Sequence, residues 1–260
     1  MSIRHRLTAG LIALLLCIVP TACRGQKPAA EPANTAALYI INKRTGSTFW
    51  VREADSVRAL QTAYQALQLT DREKDPGRLG ELYDIFYCST DNRQLGYHYA
   101  ILDDGHIRVP EGAENEDAIY AADLTALLAQ LQPLEAAAAA APAEPAPVPV
   151  AAATLLVIDC RTGASTTVQK AAAVEALYAA CSRLELTPYS AYSDAGTPAF
   201  LYALHYCAAN GTDLSYTYYI SEDGTVRAPT GIAGYADFTA TAATLQPLLQ
   251  LLAAALTAAG

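Results

Sequence analysis

The chain carries nearly the same sequence twice, and this duplication limits its possible folds more than any other feature. The block 38–134 returns as 155–248. Across the stretches that align without a gap, 27 of 52 positions are identical. One shared motif, Tyr-x-Tyr-x-Ile-x-x-Asp-Gly-x-x-Arg-x-Pro, begins at Tyr97 and begins again at Tyr216. Such identity over an ordered motif indicates duplication of a folding unit rather than shared composition.

The duplication separates features of the fold from candidate features of function. A pattern present in both copies is expected to be needed by the fold, whereas a pattern in one copy only is free to serve function. At 260 residues, two domains are expected. Each repeat is close to the commonest domain size of about 100 residues.

The N-terminus has the features of an export signal. Arg4 and Arg6 precede a short apolar run over 11–19, which is shorter than the roughly 20 residues that span a membrane. The small residues Thr21-Ala22 then stand directly before Cys23. This arrangement resembles the lipobox of bacterial lipoproteins, in which the signal is removed and the cysteine carries fatty acyl chains such as palmitate.

The resemblance implies that residues 1–22 are a signal peptide, that Cys23 is the lipid attachment site, and that the protein is extracytoplasmic, anchored by lipid to a membrane of the bacterial cell envelope. Ordinary signal-peptidase cleavage after Ala22, which would release a soluble secreted protein, is the alternative. The segment 23–36 is rich in Pro, Ala and polar residues, a composition typical of a flexible tether.

Charge limits the partners. The formal net charge is −9 and becomes −11 when Arg4 and Arg6 are removed with the signal. Neither repeat has the clustered Lys and Arg residues that bind phosphate backbones, so nucleic acid is not an expected partner. The negative charge also disfavours electrostatic docking on anionic lipid, so the expected contact with the membrane is through the lipid anchor.

Hydrophobic periodicity predicts the fold class of each repeat. Two β-rich runs around a Gly-containing turn predict a hairpin, and apolar positions at helical spacing after Asp55-Ser56 predict a helix. Three further strands follow, two of them joined by an Asp-Gly turn. Asp123-Leu124 and Asp237-Phe238 are expected to begin a closing helix, which Pro133 and Pro247 should break or kink. The predicted order is β-β-α-β-β-β-α, an antiparallel sheet with a helix on one face, in the α+β class.

The predicted domain boundaries follow from the repeats. Repeat 1 covers 37–135, an Ala/Pro linker covers 136–153, and repeat 2 covers 154–260. Alternating Pro and Ala in the linker favour extended polyproline II at about 3.1 Å per residue. We therefore expect the two repeats to be spaced apart, with a wet interface or none.

Tyrosines duplicated in both repeats allow two interpretations. The first is an aromatic platform for a sugar or a peptide, since flat amphipathic rings stack well. The second is core packing, because period-2 parity places the tyrosines with isoleucines on one apolar face of each strand. The duplicated residues are Tyr83, Tyr87, Tyr97, Tyr99, Tyr202, Tyr206, Tyr216 and Tyr218.

No recognised catalytic or metal-binding motif occurs in the chain. Asp103-Asp104-Gly105 and Glu222-Asp223-Gly224 are typical of turns and lack the remaining ligands of a calcium loop. His98, His106 and His205 are not duplicated and fit no zinc, hydrolase or phosphate-loop pattern. The sequence therefore predicts no cofactor, no metal site, no catalytic residue and no enzymatic activity.

Two cysteines are specific to repeat 2. Cys160 and Cys181 stand where repeat 1 has Lys43 and Tyr64. Export permits disulfides, and both positions changed to cysteine in the same copy, so a Cys160–Cys181 bond is expected. Two independent free thiols are the alternative.

The pattern favours a non-catalytic role. A duplicated module, flexible spacers and the lack of a catalytic motif predict a binding or scaffolding lipoprotein, with an unidentified protein or glycan as ligand. A protein inhibitor of a secreted or envelope enzyme is the alternative, on fold-level analogy alone. Spaced copies of one module can also raise avidity without new contacts.

Overall fold

The computed structural model describes residues 28–75, 77, 80–111, 116–189, 199–231 and 234–258. Within these residues the chain forms two antiparallel sheets of seven strands each, accompanied by four helices. The α+β class and the two similar sheet domains agree with the sequence prediction. Cys23, the expected lipid attachment site, and the predicted signal segment lie outside the described residues.

Repeat 1 contains seven strands and two helices. In chain order they are β1 (Ala37–Asn42), β2 (Thr48–Val51), α1 (Ala54–Gln65), β3 (Thr70–Lys74), β4 (Glu81–Cys88), β5 (Gln94–Leu102), β6 (His106–Glu111), β7 (Glu116–Ala121) and α2 (Thr125–Ala138).

Repeat 2 has the same order of elements. They are β8 (Thr154–Asp159), β9 (Ser165–Val168), α3 (Ala171–Ser182), β10 (Leu186–Pro188), β11 (Phe200–Cys207), β12 (Asp213–Ser221), β13 (Thr225–Thr230), β14 (Gly234–Ala240) and α4 (Ala242–Thr257).

The strand order is the same in both sheets. Sheet 1 runs β2-β1-β4-β5-β6-β7-β3, and sheet 2, read from the corresponding edge, runs β9-β8-β11-β12-β13-β14-β10. The order predicted from the sequence lacked β3 and β7 in repeat 1 and β10 and β14 in repeat 2. β3 escaped the prediction because its sequence, TDREK, is exposed and charged throughout and so shows no alternation of apolar and polar residues.

Turns and helix starts follow local residue chemistry. Gly105 and Gly224 close the Asp-Gly hairpins with φ angles of 83° and 89°, a left-handed conformation that glycine adopts without steric cost. The closing helix of repeat 2 starts at Ala242, so the expectation that Asp237-Phe238 begins it is wrong; both residues lie in β14. Pro133 and Pro247 lie inside helices that continue past them, so neither proline ends its helix.

The core of each repeat lies between the helices and one face of its sheet. All eight duplicated tyrosines are buried there, which confirms the core interpretation over the aromatic platform. In repeat 1 the ring of Tyr64 from α1 stacks on Tyr99 with centroids 4.3 Å apart. In repeat 2 Tyr178 from α3 stacks on Tyr206 at 5.2 Å. In helix α1 the buried residues Val57, Leu60 and Tyr64 are three and four positions apart, so they lie on one face of the helix.

The Pro-Ala segments before each sheet belong to the repeat. The backbone N–H of Ala29 donates to the carbonyl of Pro110 at 2.8 Å, and Ala146 donates to Pro229 at 2.8 Å. Pro110 and Pro229 occupy matching positions of the duplicated motif. Part of the predicted tether and of the linker is therefore packed against the domains.

The two repeats contact each other, which corrects the expectation that they are spaced apart. The N–H of Gly231 in repeat 2 donates to the hydroxyl of Tyr39 in sheet 1 at 2.9 Å. The indole N–H of Trp50 donates to the carbonyl of Pro145 in the linker at 3.0 Å. Linker residue Val148 forms a parallel bridge with Arg93. The linker thus lies between the repeats and forms hydrogen bonds to both of them.

None of the four helices in the described residues has the length and hydrophobicity of a membrane-spanning segment.

Candidate functional site

The copies differ most clearly on the face of sheet 2 that faces away from the helices. Alternation along β12 puts Tyr218 and Ile220 in the core and Tyr219 on the opposite face. A register shift between Phe200 and Tyr202 in β11 turns Phe200 to that same face. Tyr235 in β14 and Tyr189 after β10 complete a group of four rings, hereafter the aromatic surface.

The rings of the aromatic surface lie close to one another. Phe200 and Tyr219 have centroids 5.3 Å apart, and Tyr219 and Tyr235 have centroids 6.2 Å apart. Tyr189 and Tyr235 are 43% and 42% exposed, and these two are the most exposed aromatic side chains in the described part of the chain. The four rings line an open groove of about 710 Å³. A groove of this size and composition is suited to stacking against a flat ligand.

A rigid polar pair lies beside the rings in the same groove. The guanidinium of Arg227 donates to both carboxylate oxygens of Asp237, at 2.8 and 3.0 Å, in the bidentate geometry that planar Arg favours. Arg227 also lies over the ring of Phe200, with Cζ 5.2 Å from the centroid. The groove therefore offers apolar ring faces next to a fixed donor and acceptor.

At the positions that match the aromatic surface, repeat 1 carries charged and small residues instead of rings. The helix-free face of sheet 1 has rings at other positions, where Tyr39 packs with Trp50 and Phe86 stacks on His98. Alignment places Glu81 at the position of Phe200 and Ala100 at the position of Tyr219. Asp117 stands opposite Pro110 in the sheet, as Tyr235 stands opposite Pro229. In repeat 1 Arg108 pairs with Asp75 at 2.6 Å and also with Glu81. A network of ion pairs thus occupies the position that the aromatic surface has in repeat 2.

The predicted Cys160–Cys181 disulfide is absent, because both residues are free thiols in the structure. Cys160 is exposed in the turn after β8, with its sulfur 4.0 Å from the carbonyl of Ile158. Cys181 is buried in the core beneath sheet 2, near the hydroxyl of Tyr206. Burial raises the pKa of the Cys181 thiol to about 11, with a smaller opposing effect from Tyr206, so this thiol is protonated and unreactive at neutral pH.

The histidines do not converge on one site. His98 stacks on Phe86 in repeat 1, and His106 Nδ1 lies 2.9 Å from Asp104 Oδ1 at the turn before β6. His205 lies 3.0 Å from Asp213 in repeat 2. Within the described ranges no group of three or more His, Cys, Asp or Glu side chains is placed to hold a metal ion.

The aromatic surface was not predicted from the sequence, where the candidate aromatic residues were the duplicated tyrosines. Tyr189, Tyr219 and Tyr235 are present in one copy only, which is the signal expected of a functional rather than a structural residue. Comparison of the two copies could have identified these three tyrosines from the sequence. The register shift at Phe200 and the strands β10 and β14 could not be identified in that way. Without those strands, the four rings could not be placed on one face.

Comparisons with protein-family models, curated proteins and solved structures find no match to this chain.

Proposed function

We propose that the protein is an exported, lipid-anchored, non-catalytic binding protein, and that the aromatic surface of repeat 2 binds a glycan. The observation that carries the proposal is that four neighbouring, partly exposed rings stand in repeat 2 at positions where repeat 1 has no ring. Repeat 1, with ion pairs at the same positions, serves in this proposal as the support that holds repeat 2 away from the anchor.

Ring geometry and neighbouring polar groups favour a glycan. A sugar ring presents an apolar face that stacks on tyrosine and hydroxyl groups at its rim that require hydrogen bonds. The Arg227–Asp237 pair next to the rings offers a guanidinium edge and carboxylate oxygens fixed in place. Tyr219 contributes a neutral phenol, because burial raises the pKa of its hydroxyl further above the physiological range.

Charge favours a neutral glycan over an acidic one. The chain carries a net charge of −9, which becomes −11 without the signal segment. Arg227 contributes the positive charge of the groove, and Asp237 balances it at hydrogen-bond distance. A polyanionic glycan would therefore meet an unfavourable long-range potential on approach.

Anchoring is the second part of the proposal and rests on the lipobox-like sequence before Cys23. Cys23→Ala should abolish incorporation of a clickable fatty acid and shift the protein from the membrane fraction to the soluble exported fraction. Continued incorporation by the variant would remove the lipoprotein part of the proposal and leave the binding part in place.

Affinity electrophoresis tests the binding part of the proposal. The mature chain, carrying Cys23→Ser to omit the lipid, should be retarded in gels that contain a neutral polysaccharide from the cell envelope. Tyr219→Ala and Tyr235→Ala should each restore free mobility. Trp50→Phe in repeat 1 is a matched aromatic control and should leave retardation unchanged. Retardation that persists in both tyrosine variants would refute the aromatic surface as the binding site.

Inhibition of a secreted or envelope enzyme is the alternative proposal, in which the aromatic surface would contact protein. An extracellular hydrolase captured by the wild-type chain and released by Tyr235→Ala, without any retardation by polysaccharide, would favour this alternative.

A further inference from the structure

Repeat 2 contains a second cavity, separate from the aromatic surface, on the helix side of its sheet. It has a volume of about 160 Å³ and lies between α3, the core face of the sheet and the linker. Tyr178, Cys181 and Tyr206 line its interior, and Arg52 and Arg93 from repeat 1 line its rim. An engineered apolar cavity of about 150 Å³ binds benzene, so this volume holds a molecule of that size.

Two buried hydroxyl groups at this cavity have no nitrogen or oxygen partner within the described structure. Tyr206 is 0% exposed and Tyr178 is 5% exposed, and the one described side-chain group that interacts with either hydroxyl is the Cys181 thiol beside Tyr206. Cys181 lies near Tyr206, but a thiol is a weak hydrogen-bonding group. Buried polar groups are almost always hydrogen-bonded in native proteins, so two unsatisfied hydroxyls at one cavity require an explanation.

Repeat 1 shows how the hydroxyl at the position of Tyr206 is satisfied, although the buried hydroxyl of its Tyr99 has no partner in the described structure. The hydroxyl of Tyr87, the counterpart of Tyr206, donates to the carboxylate of Glu31 at 2.7 Å. The side-chain amide of Gln65 donates to the other oxygen of this carboxylate at 2.9 Å. Tyr64, the counterpart of Cys181, fills the space below and bonds to Tyr97 at 2.7 Å.

Repeat 2 has lost both groups that fill the site in repeat 1. The matched bonds Ala29–Pro110 and Ala146–Pro229 align the preceding segments, and this alignment places Val148 at the position of Glu31. Valine provides no acceptor, and Cys181 is much smaller than Tyr64. The replacement of Glu by Val and of Tyr by Cys therefore leaves a cavity and an unpaired phenol at the place where repeat 1 holds a carboxylate.

We propose that this cavity binds a small monocarboxylic acid, whose carboxylate accepts from Tyr206 in the way that Glu31 accepts from Tyr87. The Tyr178 hydroxyl lies at the same cavity as a second donor, since its ring stacks on that of Tyr206. Arg93, whose guanidinium lies 4.2 Å from the Tyr178 ring centroid, places positive charge at the rim. The apolar body of the acid would pack against Phe238 and Val148.

Rim charges set a limit on the ligand. Arg93 pairs with Glu175 at 2.6 Å and with Asp91 at 2.8 Å, and Arg52 pairs with Glu144 at 2.6 Å. Three carboxylates therefore pair with the two guanidinium groups of the rim, and two of them, Asp91 and Glu144, line the cavity themselves. A dicarboxylate would meet excess negative charge. A single carboxylate can interact with one rim arginine that is already paired and accept hydrogen bonds from the phenol hydroxyls of Tyr178 and Tyr206.

Titration with 4-fluorobenzoate, followed by fluorine NMR, tests the proposal on the full mature chain carrying Cys23→Ser. Saturable binding is expected, and benzyl alcohol, which has the same ring but no carboxylate, should compete at least tenfold more weakly. Tyr206→Phe should weaken 4-fluorobenzoate about tenfold or more, as loss of a hydrogen bond to a charged group predicts. Tyr87→Phe is the matched control in repeat 1 and should leave the affinity within about twofold of wild type.

A second variant tests the analogy with repeat 1 directly. Val148→Glu supplies the carboxylate that Glu31 provides in repeat 1 and should prevent 4-fluorobenzoate from binding. Absence of saturable binding in the wild-type chain would overturn the proposal. Binding that is unchanged by Tyr206→Phe would also overturn it, because the ligand would then lie elsewhere.

Discussion

The rings of Tyr219 and Tyr235 lie 6.2 Å apart at an angle of 60° on the helix-free face of sheet 2. The matching positions in sheet 1 hold Ala100 and Asp117. The same folding unit is thus present in both copies, while these positions hold rings in repeat 2 and a small and an acidic residue in repeat 1. Specialisation of repeat 2 is the simplest physical reading of this difference, and it underlies the proposed binding role.

Glu31→Ala should destabilise repeat 1. The Glu31 carboxylate accepts from the hydroxyl of Tyr87, which is completely buried, so the variant leaves that hydroxyl unsatisfied. The expected loss is about 1–3 kcal/mol in the free energy of unfolding. Chemical denaturation followed by circular dichroism measures the loss.

Glu144→Ala is the control for this prediction, since Glu144 lies in the segment before sheet 2 as Glu31 lies in the segment before sheet 1. Its exposed ion pair with Arg52 is expected to contribute about 0–1 kcal/mol. Equal effects of the two variants would show that Glu31 acts through general charge rather than through its bond to Tyr87.

Much of each repeat could be predicted from the sequence, because its signals are local. Alternation along β4 and β5 placed the tyrosines in the core, and the Asp-Gly pairs located the hairpins at Gly105 and Gly224. Edge strands such as β3 could not be predicted, since they bury too little apolar surface to impose a period.

Long-range packing explains the remaining errors. The proline and alanine composition of the linker did not indicate the hydrogen bonds of Ala146 to Pro229 or of Trp50 to Pro145, because these depend on tertiary contacts. The disulfide was inferred from sequence position alone. The fold places Cys160 in an exposed turn and Cys181 in the core.

Thiol labelling should distinguish the cysteines in the native protein. In a chain carrying Cys23→Ser and lacking residues 1–22, Cys160 is exposed and should react with a maleimide, while the three buried cysteines should be protected until the protein unfolds. Reductant should leave the melting temperature unchanged. If reductant lowers the melting temperature and Cys160 is not labelled, the Cys160–Cys181 disulfide is present after all.

Stability of repeat 1 should depend on pH through Glu111. This carboxylate is buried and bonded to Arg72 and Tyr120, and the Arg72 guanidinium holds the pKa of Glu111 below its ordinary value of 4.5. Because the folded-state pKa is lowered, the stabilisation is fully present above the ordinary pKa and is lost as pH falls through the folded-state value.

Glu111→Gln should therefore destabilise the protein at pH 7, and the difference from wild type should shrink below about pH 4.5. Denaturation midpoints measured across the acidic range check this. Asp55→Asn, which removes an exposed pair with Arg58, is the control and should change stability little at any pH. A difference for Glu111→Gln that grows toward low pH would contradict the assigned sign.

Tyrosine nitration with and without ligand tests the proposed binding surface most directly. In the free mature chain, tetranitromethane should modify the exposed rings of Tyr189 and Tyr235 and spare the buried duplicated tyrosines. Addition of the polysaccharide that retards the protein should protect Tyr189 and Tyr235, as read by peptide mass spectrometry. Unchanged nitration of these two residues at saturating polysaccharide, or protection confined to repeat 1, would contradict the account.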